Sequence, residues 1–193
     1  MNELTDQELL DGIIRGRQSA QREFFMRYRQ KAYRAAYRLL GNEPDALDAV
    51  SDAFVKLFGA ARGFRGESSV RTWFYRIVVN TSLDIRRRKK RTVSLEGVRD
   101  EESAALGDFV NAGAETPPAA AERSELSGKI AGAIAQLSEK HRSVFVLAAV
   151  EELSYREIAD ALGISIGTVM SRLFYARKRL QKSLAGHVEA PNV

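Results

Sequence analysis

Thr168, Ser171, Arg172, Tyr175 and Arg179 fall on one side of a helical stretch near the C-terminus, with Lys178 and Lys182 beside them. Hydroxyls, an aromatic ring and guanidinium groups in that arrangement are the side chains that meet base edges and phosphates in a major groove. Arg156, a few residues upstream, adds another cation. A second set lies between Arg71 and Arg91, where Arg71, Thr72, Tyr75, Arg76 and Asn80 share the polar side of a helical pattern that runs into six consecutive cations, Arg86 to Arg91. One or two cations would answer a helix dipole; a run of six, including Arg86 and Arg87, points to phosphates. Basic residues interleaved with aromatics and amides beside a flexible loop suit single-stranded bases that are splayed out and stacked. A third set is acidic: Asp45, Asp48 and Asp52 recur at i, i+3 and i+7 on one stripe. The positive helix N-terminus accounts for Asp45 but poorly for Asp52, two turns in, and the stripe suits docking to a basic protein.

None of these sets is catalytic. His141 and His187 are far apart, and no Gly-rich phosphate loop or metal-ligand spacing accompanies them, so neither enzyme chemistry nor a cofactor or metal is expected. Cysteine is absent, which removes disulfides, zinc fingers and thiol nucleophiles. With 193 residues, 45% hydrophobic and 28% charged, the chain has the composition of a soluble globular protein of one domain or two small ones. Thirty Lys and Arg against 25 Asp and Glu give +5, modest support for a polyanionic partner. No apolar run approaches a membrane span and MNELTDQELL lacks the features of a signal peptide, so a cytoplasmic location is expected.

The elements that must position these residues are helices. Thr5 with Glu8 forms a capping box for a short helix to about Ile14. A second helix, starting after Ser19 and stopped by Gly41, buries Phe24, Tyr28, Ala32, Ala35, Ala36 and Leu39. A third follows Asn42 to Asp45 and buries Leu47, Val50, Phe54, Leu57 and Phe58. After the loop at Arg62–Gly66, a helix capped by Ser68 or Ser69 buries Val70, Trp73, Phe74, Ile77, Val78, Thr81 and Ile85 and ends in the cations. Residues 92–123 form a linker rich in Ala, Gly, Ser and Pro whose acids, Glu96, Asp100, Glu101, Glu102, Asp108, Glu115 and Glu122, face only Arg99 and Arg123. These acids are expected to fold back on the basic tail or the recognition helix in the free protein and mask them. Beyond it, Ser154 with Glu157 and Ser165 cap two short helices, with Gly163 in the turn between, which is a helix-turn-helix. The expected division is residues 1–91, a linker at 92–123, and residues 124–193, with a frayed tail from about Gly186.

From Arg22 to Leu184 the order of these stretches resembles a bacterial sigma factor of the small extracytoplasmic-function class, group IV of the sigma-70 family. DALDAVSDAF resembles the family's core-binding helix, FRGESSVRTWFYRIVVN with its basic tail the minus-10 segment, and the helix-turn-helix the minus-35 domain. The resemblance implies an all-α fold of two small helical domains joined by a flexible linker. Its partners would be core RNA polymerase and promoter DNA, single-stranded at minus-10 and duplex at minus-35, with room for an anti-sigma factor. By position, Asp45, Asp48, Asp52 and Phe54 would contact the coiled coil of the polymerase's largest subunit. Arg71, Thr72, Tyr75, Arg76, Asn80, Arg86 and Arg87, with the loop from Arg65 to Ser69, would hold minus-10 bases. Arg156, Thr168, Ser171, Arg172, Tyr175 and Arg179 would read minus-35. One departure is Leu47, where the family commonly carries another acid. The alternative, a conventional helix-turn-helix regulator with a different N-terminal domain, explains the C-terminal half equally well but leaves the acidic and aromatic-basic helices without a role.

Overall fold

The computed structural model describes residues 4–96, 127–149 and 151–185. Among them there is no strand, and the order is α1 (Asp6–Ile14), α2 (Gln18–Leu40), α3 (Glu43–Ala60), a 3-10 turn at Ala61–Gly63, α4 (Val70–Glu96), α5 (residues 127–135), α6 (Glu139–Ala149), α7 (Tyr155–Leu162) and α8 (Ile166–Leu184). Helix α4 does not stop at the cations but carries them along its last turns, taking residues 92–96 out of the linker. The remainder of the linker with its other six acids, and the tail from Gly186 with His187, lie outside the described residues.

Local signals start and stop these helices. Thr5 and Glu8 cap each other at α1, and Asp6 ties that helix to α2 by accepting from Arg27 at 2.9 Å and from the Tyr28 hydroxyl. The two helices touch so closely that a Cβ on Gly12 would sit 2.6 Å from the Cβ of Ala20, so only glycine fits there. Helix α2 starts at Gln18 rather than after Ser19, because the Arg17 carbonyl accepts from Ala20 and Gln21 and closes the first turn without a side-chain cap. Gly41 ends it in the left-handed region at φ 84°, and Asn42 then caps α3.

In the N-terminal half, rings from three helices meet: Phe74 of α4 lies 5.5 Å from Phe24 of α2 and 4.8 Å from Phe54 of α3. Val70, Val78, Leu39 and Leu57 complete this core. Trp73, Ile77 and Ile85, expected inside, are only half-buried, and the Trp73 ring packs on Phe64 of the preceding loop at 5.0 Å. In the C-terminal half, Ile134, Val144, Leu147, Ile158, Leu173 and Ala176 form the core between α5, α6, α7 and α8. The halves pack on each other, α4 against α7 and α2 against α6. Arg142 of α6 sits in that junction, 4% exposed. It donates to the carbonyls of Ile134 at 3.1 Å, Leu137 at 3.0 Å and Ala135, which end α5, and to Leu39 O at 3.0 Å, which ends α2. Helix ends leave such carbonyls without partners, and a single guanidinium supplies four of them.

Candidate nucleic-acid and polymerase interfaces

The helix-turn-helix is set by side chains that cap and staple. Ser154 and Glu157 form a complete capping box on α7, over the buried pair Leu153 and Ile158. Gly163 turns the chain at φ 63°, Ser165 accepts from Thr168 N at 3.1 Å, and Val169 in the first turn of α8 is buried. Helix α8 buries Val169, Leu173, Ala176 and Leu180, which turns Ser171, Tyr175 and Arg179 outward to solvent. Thr168 and Arg172 stand half-buried at the edges of the same face, and Arg156 of α7 is exposed. Phe174 and Met170, also exposed, extend this face, and the Phe174 ring stands edge-on to Tyr175 at 5.4 Å. His141 of α6 reaches the same place, 6.3 Å from the Tyr175 ring. Burial, then Lys140, Arg179 and Arg172, push its imidazole below the ordinary value, a mark of the positive field over this surface.

The aromatic-basic face of α4 is differently placed. Asn80 is exposed, but Thr72 and Tyr75, expected on the open side, are buried because the C-terminal half lies on them. The Tyr75 hydroxyl donates to the Glu151 carboxylate and Arg71 to the Glu151 carbonyl. Thr72 donates to Glu157 at 3.2 Å, and Arg76 to the Asp160 carbonyl. Burial and the adjacent Glu151 carboxylate push the Tyr75 phenol far up, so it remains a proton donor. Of the cations further along, Arg86 donates to Leu39 O at 3.2 Å, and Arg87 pairs with Asp84 at 3.4 Å and with Glu139 of α6 at 3.6 Å.

On α3 the acidic stripe divides. Asp48 and Asp52 are exposed, whereas Asp45 is buried at the helix start: its carboxylate accepts from Asn42 Nδ2 at 2.8 Å and pairs with Lys89 of α4 at 2.8 Å. Asp45 therefore fastens α3 to α4 rather than facing a partner. Phe54 is likewise an inner residue, 3% exposed within the ring cluster. What does face outward is Leu47, 49% exposed, and Val55, 71% exposed. Leu47 was expected in the core, but the helix turns Ala46, Ala49, Val50 and Ala53 inward and leaves it at the rim. With Phe25, Arg29, Tyr33, Val50 and Ser51 it lines an open groove of roughly 420 Å³ between α2 and α3. An acid pair beside an apolar groove has the chemistry to meet a helix that carries both cations and apolar side chains.

Known proteins show the same organisation. Sigma-70 region 2 matches residues 24–92 and sigma-70 region 4 matches residues 127–180. The ECF RNA polymerase sigma factor SigW of Bacillus subtilis is 34% identical over 173 residues, covering 89% of this chain and 92% of its own. Among solved structures, CnrH in complex with the cytosolic domain of CnrY superposes with a TM-score of 0.70 at 26% identity, covering 95% of this chain and 99% of that one. The sigma factor RpoE of Bartonella quintana, in complex with the anti-sigma factor NepR, has the same fold, with a TM-score of 0.70 at 23% identity over 86% of this chain and 98% of that one.

Proposed function

This chain belongs to the sigma-70 family of RNA polymerase sigma factors, in its extracytoplasmic-function class, and we propose that its surfaces divide the family's work among them as follows. The protein binds core RNA polymerase, directs it to specific promoters and assists strand separation at initiation. Asp48, Asp52 and the groove at Leu47 take the polymerase; α4, with Asn80 at its centre, takes the minus-10 strand; the outer face of α8 reads the minus-35 duplex. This work places it in the cytoplasm, beside the polymerase. An anti-sigma factor is a further partner, as RpoE of Bartonella quintana has in NepR.

The observation that carries this reading is the acidic and apolar surface of α3 on the same half as the basic helix α4. A conventional helix-turn-helix regulator needs neither. Footprinting tests it: purified core polymerase with this protein should protect minus-35 and minus-10 elements together on one face of a promoter, and core alone should protect neither.

Reading and melting should separate by mutation. Arg172→Ala is expected to cost about 1–3 kcal/mol in binding minus-35 duplex and to relax preference at one base pair, the size of a lost bidentate base contact. Equal affinity and unchanged preference would remove Arg172 from the reading face. Asn80→Ala should leave duplex binding intact and instead reduce permanganate reactivity of minus-10 thymines in the complex with polymerase. Wild-type reactivity would make Asn80 a plain surface residue.

A further inference from the structure

His141 is the one imidazole among the described residues, and none of the surfaces assigned above uses it for a contact. It lies in the first turn of α6, outside the helix-turn-helix, and is half-buried. Two neighbours fix the ring. The Ser138 hydroxyl meets Nδ1 at 2.8 Å, and the Tyr175 ring of α8 lies 6.3 Å away. With Nδ1 engaged, Nε2 is the nitrogen left to meet a ligand.

The charges that act on this imidazole are positive: Lys140 from its own helix, Arg179 and Arg172 from α8. From the turn before α6 it faces the neutral Ser138 hydroxyl, and Glu139, the nearest acid in sequence, is taken by Arg87 of α4 at 3.6 Å. Like charges gathered at one place repel, and an anion set among them removes the repulsion. The position suits a phosphate rather than a base. In a helix-turn-helix the N-terminal part of the recognition helix meets base edges, and here that part carries Thr168, Ser171 and Arg172. Tyr175 and Arg179 follow one and two turns further on, toward the wall of the groove where the phosphates run, and His141 comes in beside them from another helix.

We propose that His141 and Lys140 of α6, with Arg179 of α8 beside them, clamp a backbone phosphate next to the minus-35 element, and that binding the duplex takes up a proton at His141. The clamp rests on the minus-35 reading above and extends it from the helix-turn-helix to the preceding helix. Without DNA, burial and then Lys140, Arg179 and Arg172 hold the imidazole below its ordinary value, so the neutral ring prevails at pH 7. A phosphate favours the charged ring, which donates from Nε2 to a phosphate oxygen, the proton coming from solvent. The pKa is therefore higher in the complex than in the free chain. Affinity is greatest below the free-chain pKa, falls as pH rises between the two values, and levels off above that of the complex.

Duplex affinity as a function of pH tests the clamp, in the full-length chain carrying His187→Gln so that His141 is its sole imidazole. The probe is a duplex selected from a random pool by the wild-type protein, and circular dichroism confirms the fold at each pH. A phosphate that raises the ring's proton affinity about tenfold should strengthen binding roughly fivefold from about pH 8.5 to about pH 5.5. At the lower pH one more phosphate is neutralised, so the slope of log affinity against log salt should steepen by about 0.9. His141→Gln should hold the weaker, high-pH affinity throughout, and Lys140→Ala, at an exposed position, should lessen the salt slope by about 0.9 at either pH. Should His141→Gln not fold, the imidazole C2 proton of the parent, followed by NMR with and without the duplex, reads the same linkage, and its titration should move up on binding. Affinity that does not change with pH, an imidazole that titrates alike in both states, or a pH dependence kept by His141→Gln overturns the clamp. So does a salt slope that neither pH nor Lys140→Ala alters, because the ligand would then not be a phosphate. Failure of the minus-35 reading looks different: no duplex is selected or bound at any pH, and the clamp falls with it.

Discussion

Arg142→Ala is expected to lower the unfolding free energy by about 3–5 kcal/mol, a loss large enough to shift the thermal midpoint by roughly 10 °C. The size follows from what the guanidinium satisfies. Four carbonyls at the ends of α5 and α2 accept from it inside the protein; in the alanine variant Leu39 O keeps Arg86 and Ile134 O keeps Leu137 N, while Ala135 O and Leu137 O lose the guanidinium, and its buried volume is left empty. Burial, with Arg86 opposing and Glu139 favouring the charge, lowers the Arg142 pKa to about 10, so it is still charged at neutral pH and its bonds are charge-assisted. Arg142→Lys should recover only part of the loss, since three donors on a point charge cannot reproduce a planar fork. Thermal unfolding followed by circular dichroism measures both variants. A midpoint within about 2 °C of wild type for Arg142→Ala would show that the carbonyls find other partners.

Reversing Asp48 and Asp52 to lysine together should weaken binding to core polymerase on the order of 100-fold while leaving helical content and thermal unfolding unchanged. Both side chains are exposed and neither makes an ion pair among those seen in the described residues, so their contribution to folding is small. Against a basic partner, two reversals replace attraction by repulsion, which costs several kcal/mol at a close contact. Asp45→Lys should behave in the opposite way, because it breaks the pairing with Asn42 and Lys89 and destabilises the start of α3. Fluorescence anisotropy of labelled protein titrated with core reads the affinity, and normal binding by the double reversal would remove the acidic stripe from the interface. Leu47→Asp, which restores an acid at the rim of the groove, separates the apolar contribution from the charged one.

The contrast between Asp45 and Asp48 shows what a sequence conveys and what it does not. Spacing places three aspartates on one stripe, but whether Lys89, 44 residues further along the chain, reaches the first of them is a tertiary fact without a local signature. Caps and turns were legible because their causes lie within four residues. Thr5 with Glu8, Ser154 with Glu157, Ser165, Gly41 and Gly163 all act as their types and spacing predict. Helical periodicity likewise found Phe24, Phe74, Val169 and Leu173 as core. It failed for Thr72 and Tyr75, which sit on the polar side of α4 and are buried by the C-terminal half rather than by the helices next to them in sequence. It succeeded for Phe54, which lies in the core as its spacing predicts; the contact role came from the family resemblance alone, and an aromatic in a contact segment can serve the core behind that segment. Glu151 and Arg142 carry no such local signal, because a lone charged residue in a helical stretch has the pattern of a solvated one. Their only trace is that polar groups at helix ends need partners, a demand that does not name the residue that meets it.

Multi-round transcription in vitro, with purified core polymerase and a promoter recovered by selection with the protein, tests the central claim most directly. Core with the wild-type chain should yield a discrete transcript from a fixed start site, absent with core alone, strongly reduced by the Asp48→Lys and Asp52→Lys pair and reduced by Arg172→Ala. Equal transcription with and without the protein, or repression of a transcript that core with another sigma factor makes unaided, would contradict it.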